Sequence, residues 1–308
     1  MKNLKIIVTM MIFVVLAGIG GYFTAKYYGG HLEVQKCKIV FEKRKTAWIE
    51  LKQVVANEIG QFKGDAGIVI KDLNVNQEIS FNKEKLFPSA SLTKVPIMAA
   101  CFLAADQGRI KLDRNIALKP ADKLTGSGSL KEMKPGATFS VEELIGLMIY
   151  DSDNTAANML TNLVGIDYLK SLFKIFGLKN TTLSRKIADF SSRDKGIENY
   201  TTAEDMAFLL EKIYRKNLIS KDASEKCMRI MKLSRTNDRI PKYLPTEITI
   251  AHKTGLERDV CHDAGIVFTS KGDFIIVVLT KHANSTGALS KEFIAKVSLY
   301  AYNYFKQF

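Results

Sequence analysis

The chain has 308 residues, 46% apolar and 25% charged. That suffices to bury a full core, as one large domain or two, and excludes a disordered or low-complexity chain. The net charge is +13, but no nucleic-acid module or aromatic-basic stretch accompanies it. A solvated lysine-rich surface is therefore the simplest meaning, and an anionic membrane or cell wall the other partner such a balance allows.

Residues 1–30 open with Lys2 and Lys5, followed by an apolar run over 6–23 broken only by Thr9 and glycines. That length suits a bilayer crossing, and the basic flank orients the start of the chain inward. A secretory signal peptide has the same layout. Gly18 and Gly20 offer small residues, but no A-x-A site follows, which favours a transmembrane anchor slightly over a cleaved signal peptide. No lipobox cysteine is present. In either case the chain after about residue 30 is expected outside the cytoplasm, held to the membrane through residues 6–23 or secreted.

Residues 31–45 are polar and basic and read as a tether. Trp48, Ile49, Leu51, Val54 and Val55 repeat at near-helical spacing, which predicts an amphipathic helix over 46–59. Strands are expected at 67–72 and 78–82, around a turn marked by Asn74 and Asn76. The sequence Phe87-Pro88-Ser89-Ala90-Ser91-Leu92-Thr93-Lys94 then leads into an apolar helix over 97–105. Thr125-Gly126-Ser127-Gly128-Ser129 is a loop, and Ser140-x-x-Glu143 is a capping box that starts a helix over 141–150. After Asp151-Ser152-Asp153-Asn154 a helix resumes over 155–164. Residues 180–200 form an irregular polar loop, and Thr201-Thr202-Ala203-Glu204 starts another helix. From 246 the pattern turns to strands, at 247–252, 264–269 and 274–279, before a last helix over 289–304.

Cys37, Cys101, Cys227 and Cys261 show no C-x-x-C spacing, so zinc and thioredoxin-like chemistry lack support. Buried free thiols suit Cys101 and Cys261, and a disulfide stays open. His31, His252, His262 and His282 have no metal-ligand spacing. Neither a metal nor a cofactor is expected.

Ser91 and Lys94 form an S-x-x-K pair. At a helix start the amine falls one turn from the hydroxyl, on the same face. A serine needs a base to take its proton, and a lysine serves if burial or a cationic neighbour lowers its pKa. Ser80/Lys83, Ser171/Lys174 and Ser192/Lys195 match the same pattern. Only Ser91 has a helix start and two downstream partners, Ser152-Asp153-Asn154 and Lys253-Thr254-Gly255.

These three motifs, in this order and in these settings, resemble the penicillin-recognising serine enzymes, nearest the class A β-lactamase branch. The resemblance covers roughly residues 46–308. It implies an α/β fold of the α+β type. An antiparallel sheet flanked by helices comes from 46–105 and 235–308, and an all-helical lobe from 106–234. It implies that Ser91 forms an acyl-enzyme, that Lys94, beside Lys253, takes its proton, and that Ser152 relays a proton to the leaving nitrogen. Asn154 would bind a substrate amide, and Lys253, Thr254 and Gly255 would receive the substrate carboxylate. The backbone N–H groups of Ser91 and Leu256 would form the oxyanion hole. Singly, Ser152 also reads as a helix cap, Lys253 as a solvated strand end and Thr254-Gly255 as a turn; jointly those readings are poor.

One departure stands out. Class A enzymes carry an R-x-E-x-x-L-N loop with a deacylating glutamate, whereas this chain has Arg185-Lys186-Ile187-Ala188-Asp189-Phe190-Ser191. Ile187 falls at the glutamate position. Asp189 is the nearest carboxylate, either a substitute base or a cap of its own loop; Asp194 and Glu198 lie beyond it. The resemblance therefore implies an extracytoplasmic monomer that opens β-lactams, with slow deacylation. The alternatives are a peptidoglycan D,D-peptidase acting on stem peptides, a penicillin-binding sensor, and a non-catalytic wall-binding protein.

Overall fold

The computed structural model describes residues 22, 26, 35, 38–282 and 286–307. The apolar run expected to meet the membrane thus lies, apart from Tyr22, outside the described residues, as do His31 and Cys37. No helix among the described residues is long and apolar enough to cross a membrane. The chain divides after Leu51 into two units. In the first, residues 38–51 are helical, including part of the stretch expected to be a tether. Glu42, Lys43, Arg44 and Lys45 are straight-chain residues that favour a helix.

The second unit begins with α1 (residues 52–61), β1 (Gly64–Asp72), β2 (Glu78–Phe81), β3 (Phe87–Pro88) and α2 (Lys94–Asp106). Then follow β4 (Asn115–Ala117), β5 (Thr138–Ser140), α3 (Val141–Tyr150), α4 (Asn154–Val164) and α5 (Ile166–Ile175). Next come α6 (Phe190–Asp194), β6 (Tyr200–Thr201), α7 (Ala203–Tyr214) and α8 (Lys221–Met231). The chain ends with β7 (Thr249–Glu257), β8 (Val260–Phe268), β9 (Phe274–His282) and α9 (Ala288–Phe305).

Strands from both ends of the chain form one antiparallel sheet in the order β2-β1-β9-β8-β7. The continuous apolar run in β9 follows from burial on both faces. Ile275, Val277 and Leu279 join the large core shared with the helices, while Phe274, Ile276 and Val278 are buried outside it. Phe274 stacks on Phe305 of α9 at 4.3 Å, and Phe62 on Phe293 at 4.5 Å. In α2 every residue from Lys94 to Phe102 is buried, so this helix is apolar all round, the mark of a central helix.

Local signals place the helix ends. Ser140 Oγ accepts from the Glu143 N–H at 3.2 Å, while the Ser140 N–H donates to Glu143 Oε2 at 2.7 Å, which is the expected capping box. Thr202 caps α7 through the Asp205 N–H at 3.1 Å. Two bounds differ from the sequence reading. β7 does not stop before Lys253 but runs through Gly255 to Glu257, because β8 continues to pair with it as far as Val260. The loop over 180–200 contains α6, and β6 joins it to β3.

Asp153 joins two pieces of the helical part. Its Oδ1 caps α4 by accepting the Ala156 N–H at 2.8 Å, and its Oδ2 accepts the Leu130 N–H at 2.8 Å. Gly128, at φ +108°, approaches so closely that a Cβ there would lie 2.2 Å from the Asp153 carboxylate. Asp153→Ala leaves both N–H groups buried without a partner and should cost about 2–4 kcal/mol in urea unfolding. Asp153→Asn keeps one acceptor for the cap and should cost less.

Candidate active site

A short 3-10 turn, Ala90–Thr93, carries Ser91 and runs directly into α2. With three residues per turn, Ser91 and Lys94 share one face. Ala90 holds a left-handed φ of 44°, an unusual conformation for a residue with a Cβ and one found where neighbours over-determine the backbone. Those neighbours are on hand. Asn199 O accepts the Ser89 N–H at 2.8 Å, Ser89 Oγ bonds Thr93 Oγ1, and His262 Nε2 donates to Pro88 O at 2.8 Å. Gly255 on β7 passes close by, where an added Cβ would meet Ala90 Cβ at 3.2 Å. The glycine lets the strand approach the serine turn.

Lys94 is fully buried. Its Nζ donates to Ser152 O at 2.5 Å, to Asn154 Oδ1 at 2.8 Å and to Ser152 Oγ at 3.3 Å. From the sheet, Lys253 Nζ reaches the same Ser152 Oγ at 2.9 Å and Thr254 O at 2.7 Å. Ser152 sits at φ 53°, a turn that aims both its carbonyl and its hydroxyl at the amines. Burial first, then the charge of Lys253, holds the Lys94 amine well below the usual lysine range. Burial, then Arg239, lowers Lys253 to about 7. A neutral amine can take a proton, so this arrangement can do base chemistry near neutrality. Lys94 and Ser91 are not hydrogen-bonded to each other. Among the described residues Ser91 Oγ has no hydrogen-bond partner, and Ser152 and Asn154 occupy the amine instead.

Ser91 opens into a cleft walled by Asn154, Ile187, Phe190, Leu256 and Glu257. β7 is the edge strand of the sheet, so one row of its backbone groups is free of strand pairing on this side. Ile187 lines the cleft and is 8% exposed. Asp189 caps α6 instead, its Oδ1 accepting the Ser192 N–H at 3.0 Å and its Oδ2 the Ser192 hydroxyl at 2.7 Å. These two bonds lower its pKa.

Three features had no signal in the sequence reading. Arg239 is buried and donates Nε to Cys261 Sγ at 3.1 Å. Asp263 holds His252 Nδ1 at 2.9 Å and the Ile240 N–H at 3.1 Å. The third is an ion network under the 185–198 loop. Arg185 meets Glu198 at 2.7 Å and Glu257 at 3.4 Å, and Arg193 meets Glu198 at 3.1 Å, Glu257 at 3.0 Å and Asp259 at 2.6 Å. Only contact across the fold defines this set. Cys101, Cys227 and Cys261 are free and buried.

The wall behind the serine turn is pH-sensitive. Burial lowers His262 to about 4, and its Nδ1 accepts the Thr280 N–H at 3.1 Å, so the ring is neutral when folded. The unfolded ring titrates near 6.5, so the folded state binds fewer protons between the two values. Stability from this group is complete above about 6.5 and is lost as pH falls toward about 4. His262→Asn should be less stable than the native chain at pH 7, and urea unfolding should show the gap narrowing by ~3 kcal/mol by pH 4.

Residues 50–305 match the profile of the Beta-lactamase enzyme family. The VEB-1 β-lactamase of Pseudomonas aeruginosa is 24% identical over 283 residues, covering 87% of this chain and 93% of its own. Among solved structures, a β-lactamase from Sphaerobacter thermophilus superposes with a TM-score of 0.77 at 27% identity, over 85% of this chain and 98% of that one. PBP-A superposes with a TM-score of 0.78 at 29% identity, over 84% and 97%. A leucine-to-glutamate variant of PBP-A was solved as an acyl-enzyme complex with penicillin G; it superposes with a TM-score of 0.76 over 86% and 97%.

Proposed function

This chain belongs to the β-lactamase enzyme family, and we propose that it opens β-lactam amides through an ester formed on Ser91. The observation that carries this is the meeting of Lys94 and Lys253 on Ser152, beside a cleft lined by Ser91. Lys94 acts as the neutral base, and Ser152 passes the proton to the leaving nitrogen. Asn154 binds a substrate amide. Lys253, Thr254 and Gly255 receive the substrate carboxylate, and the N–H groups of Ser91 and Leu256 hold the oxyanion. Residues 46–308 form the hydrolase, with residues 1–30 as anchor or signal peptide, and the folded part works outside the cytoplasm as a monomer. A reporter fused after residue 308 should be active only if it functions outside.

Acylation should outrun hydrolysis. Ile187 cannot activate water, and the carboxylate of Asp189 is engaged with Ser192. Neither of these positions supplies a water-activating base, a group that typically contributes ~10²–10⁴ in rate. A chromogenic cephalosporin should therefore give a burst near one equivalent followed by slow turnover, and Ile187→Glu should speed the slow phase. Intact-protein mass spectrometry should show a penicillin adduct that Ser91→Ala lacks; an adduct persisting in that variant removes the assignment. The apolar Ile187 also favours a second reading, a D,D-peptidase of peptidoglycan stem peptides, which D-alanine release from such peptides would identify.

The two lysines set opposite pH limbs. Lys94 loses its basicity as pH falls through its lowered pKa, whereas Lys253 loses its charge as pH rises through about 7. The second-order acylation rate for an anionic penicillin should decline above about pH 7. Arg stays charged throughout, so Lys253→Arg should flatten that alkaline decline. Lys94→Arg leaves no usable base and should acylate at least ~10²-fold more slowly.

A further inference from the structure

Glu257 is the acidic residue that lines the cleft beside Ser91 and Ile187. It ends β7, directly after Leu256, and its side chain is 18% exposed. The two oxygens of its carboxylate differ. Oε2 is held by Arg193 Nη1 at 3.0 Å and Arg185 Nη2 at 3.4 Å. Oε1 accepts no hydrogen bond from any described residue. One oxygen is thus fixed by two guanidiniums, while the other has no partner among the described residues. Arg193 is itself anchored to Glu198 and Asp259, so the carboxylate is clamped by a network rather than by one flexible partner. Burial raises its pKa against the pull of Arg185 and Arg193, which brings a carboxylate nearer the range useful to a base.

We infer that Glu257 is the catalytic base for hydrolysis of the Ser91 ester, working from the strand wall of the cleft, with Arg185 and Arg193 as its positioning residues. The inference rests on the acyl-Ser91 reading above. Oε1 takes a proton from water as the water oxygen bonds to the ester carbon. The carbon–Oγ bond then breaks, and the same proton passes to Ser91 Oγ. The product leaves as an acid, and Glu257 is again ionised. Turnover through this residue is compatible with an isoleucine at position 187 and with Asp189 engaged in a helix cap.

The test follows the penicillin adduct on the full chain by intact-protein mass spectrometry, after excess penicillin is removed. Glu257→Gln should hold the adduct about a hundredfold longer than the native chain does. Glu257→Asp, with a carboxylate that reaches less far, should give an intermediate lifetime and also serves if the Gln variant fails to fold. Arg193→Gln should shorten the burst less than it slows adduct decay, whereas a purely structural role would lower both together with thermal stability. An adduct that decays at the native rate in both Glu257 variants overturns the assignment alone. A native chain that forms no adduct overturns the acyl-Ser91 reading and the assignment with it.

Discussion

Two lysine amines converge on a single serine hydroxyl. Lys94 and Lys253 both donate to Ser152 Oγ, and both are buried to within 1% of full enclosure. Two full ammonium charges so close in a dry site would repel strongly, so at least one amine is driven toward its neutral form. Burial first, and that repulsion second, hold the Lys94 amine well below the usual lysine range. The rest of the site maintains it. Lys94 opens α2, whose residues through Phe102 are all buried, Ser152 adopts its left-handed turn to meet both amines, and Gly255 lets β7 pass close to the serine turn.

Around that pair the chain uses loops where position matters and strands where reach matters. Asn199 closes the neck of the 185–198 loop: its Oδ1 accepts the N–H groups of Ser184 and Arg185 at 2.7 and 2.9 Å, and its Nδ2 donates to Arg185 O at 3.0 Å. Its own carbonyl holds the Ser89 N–H, so the loop and the serine turn share one support. The ion network below then fixes the loop to the end of β7. Charges buried this way contribute little net stability, but removing one partner leaves the others uncompensated. The network is better understood as fixing geometry than as strengthening the fold.

Much of this was legible in the residues. The three motifs could be read because each fell at a local feature: a helix start, a break between helices, a strand. Ser140, Glu143 and Thr202 announced their caps because capping is decided within four residues. What failed to show was set by distance along the chain. Glu257 reads as an ordinary strand end until Arg185 and Arg193 are brought beneath it. Asp189 looked like the nearest carboxylate to Ile187, but α6 begins at the next residue and turns it onto Ser192. Lys94 bonds Ser152 rather than Ser91, and no propensity foretells the positive φ of Ser152. The strand through Lys253 ran longer than its own residues suggested because β8 fixes the register from outside.

The sheet closes with its two outermost contributors in sequence lying side by side. Gly64 pairs with His282, about 200 residues further on, so the central pairing is among the most non-local in the fold. β9 is the central strand, and it alone joins the β1–β2 pair to the β8–β7 pair. In a chain made from its amino terminus, the sheet can be completed only after β9 has emerged. The arrangement makes loss of the final two elements a failure of the entire domain rather than a trimmed end.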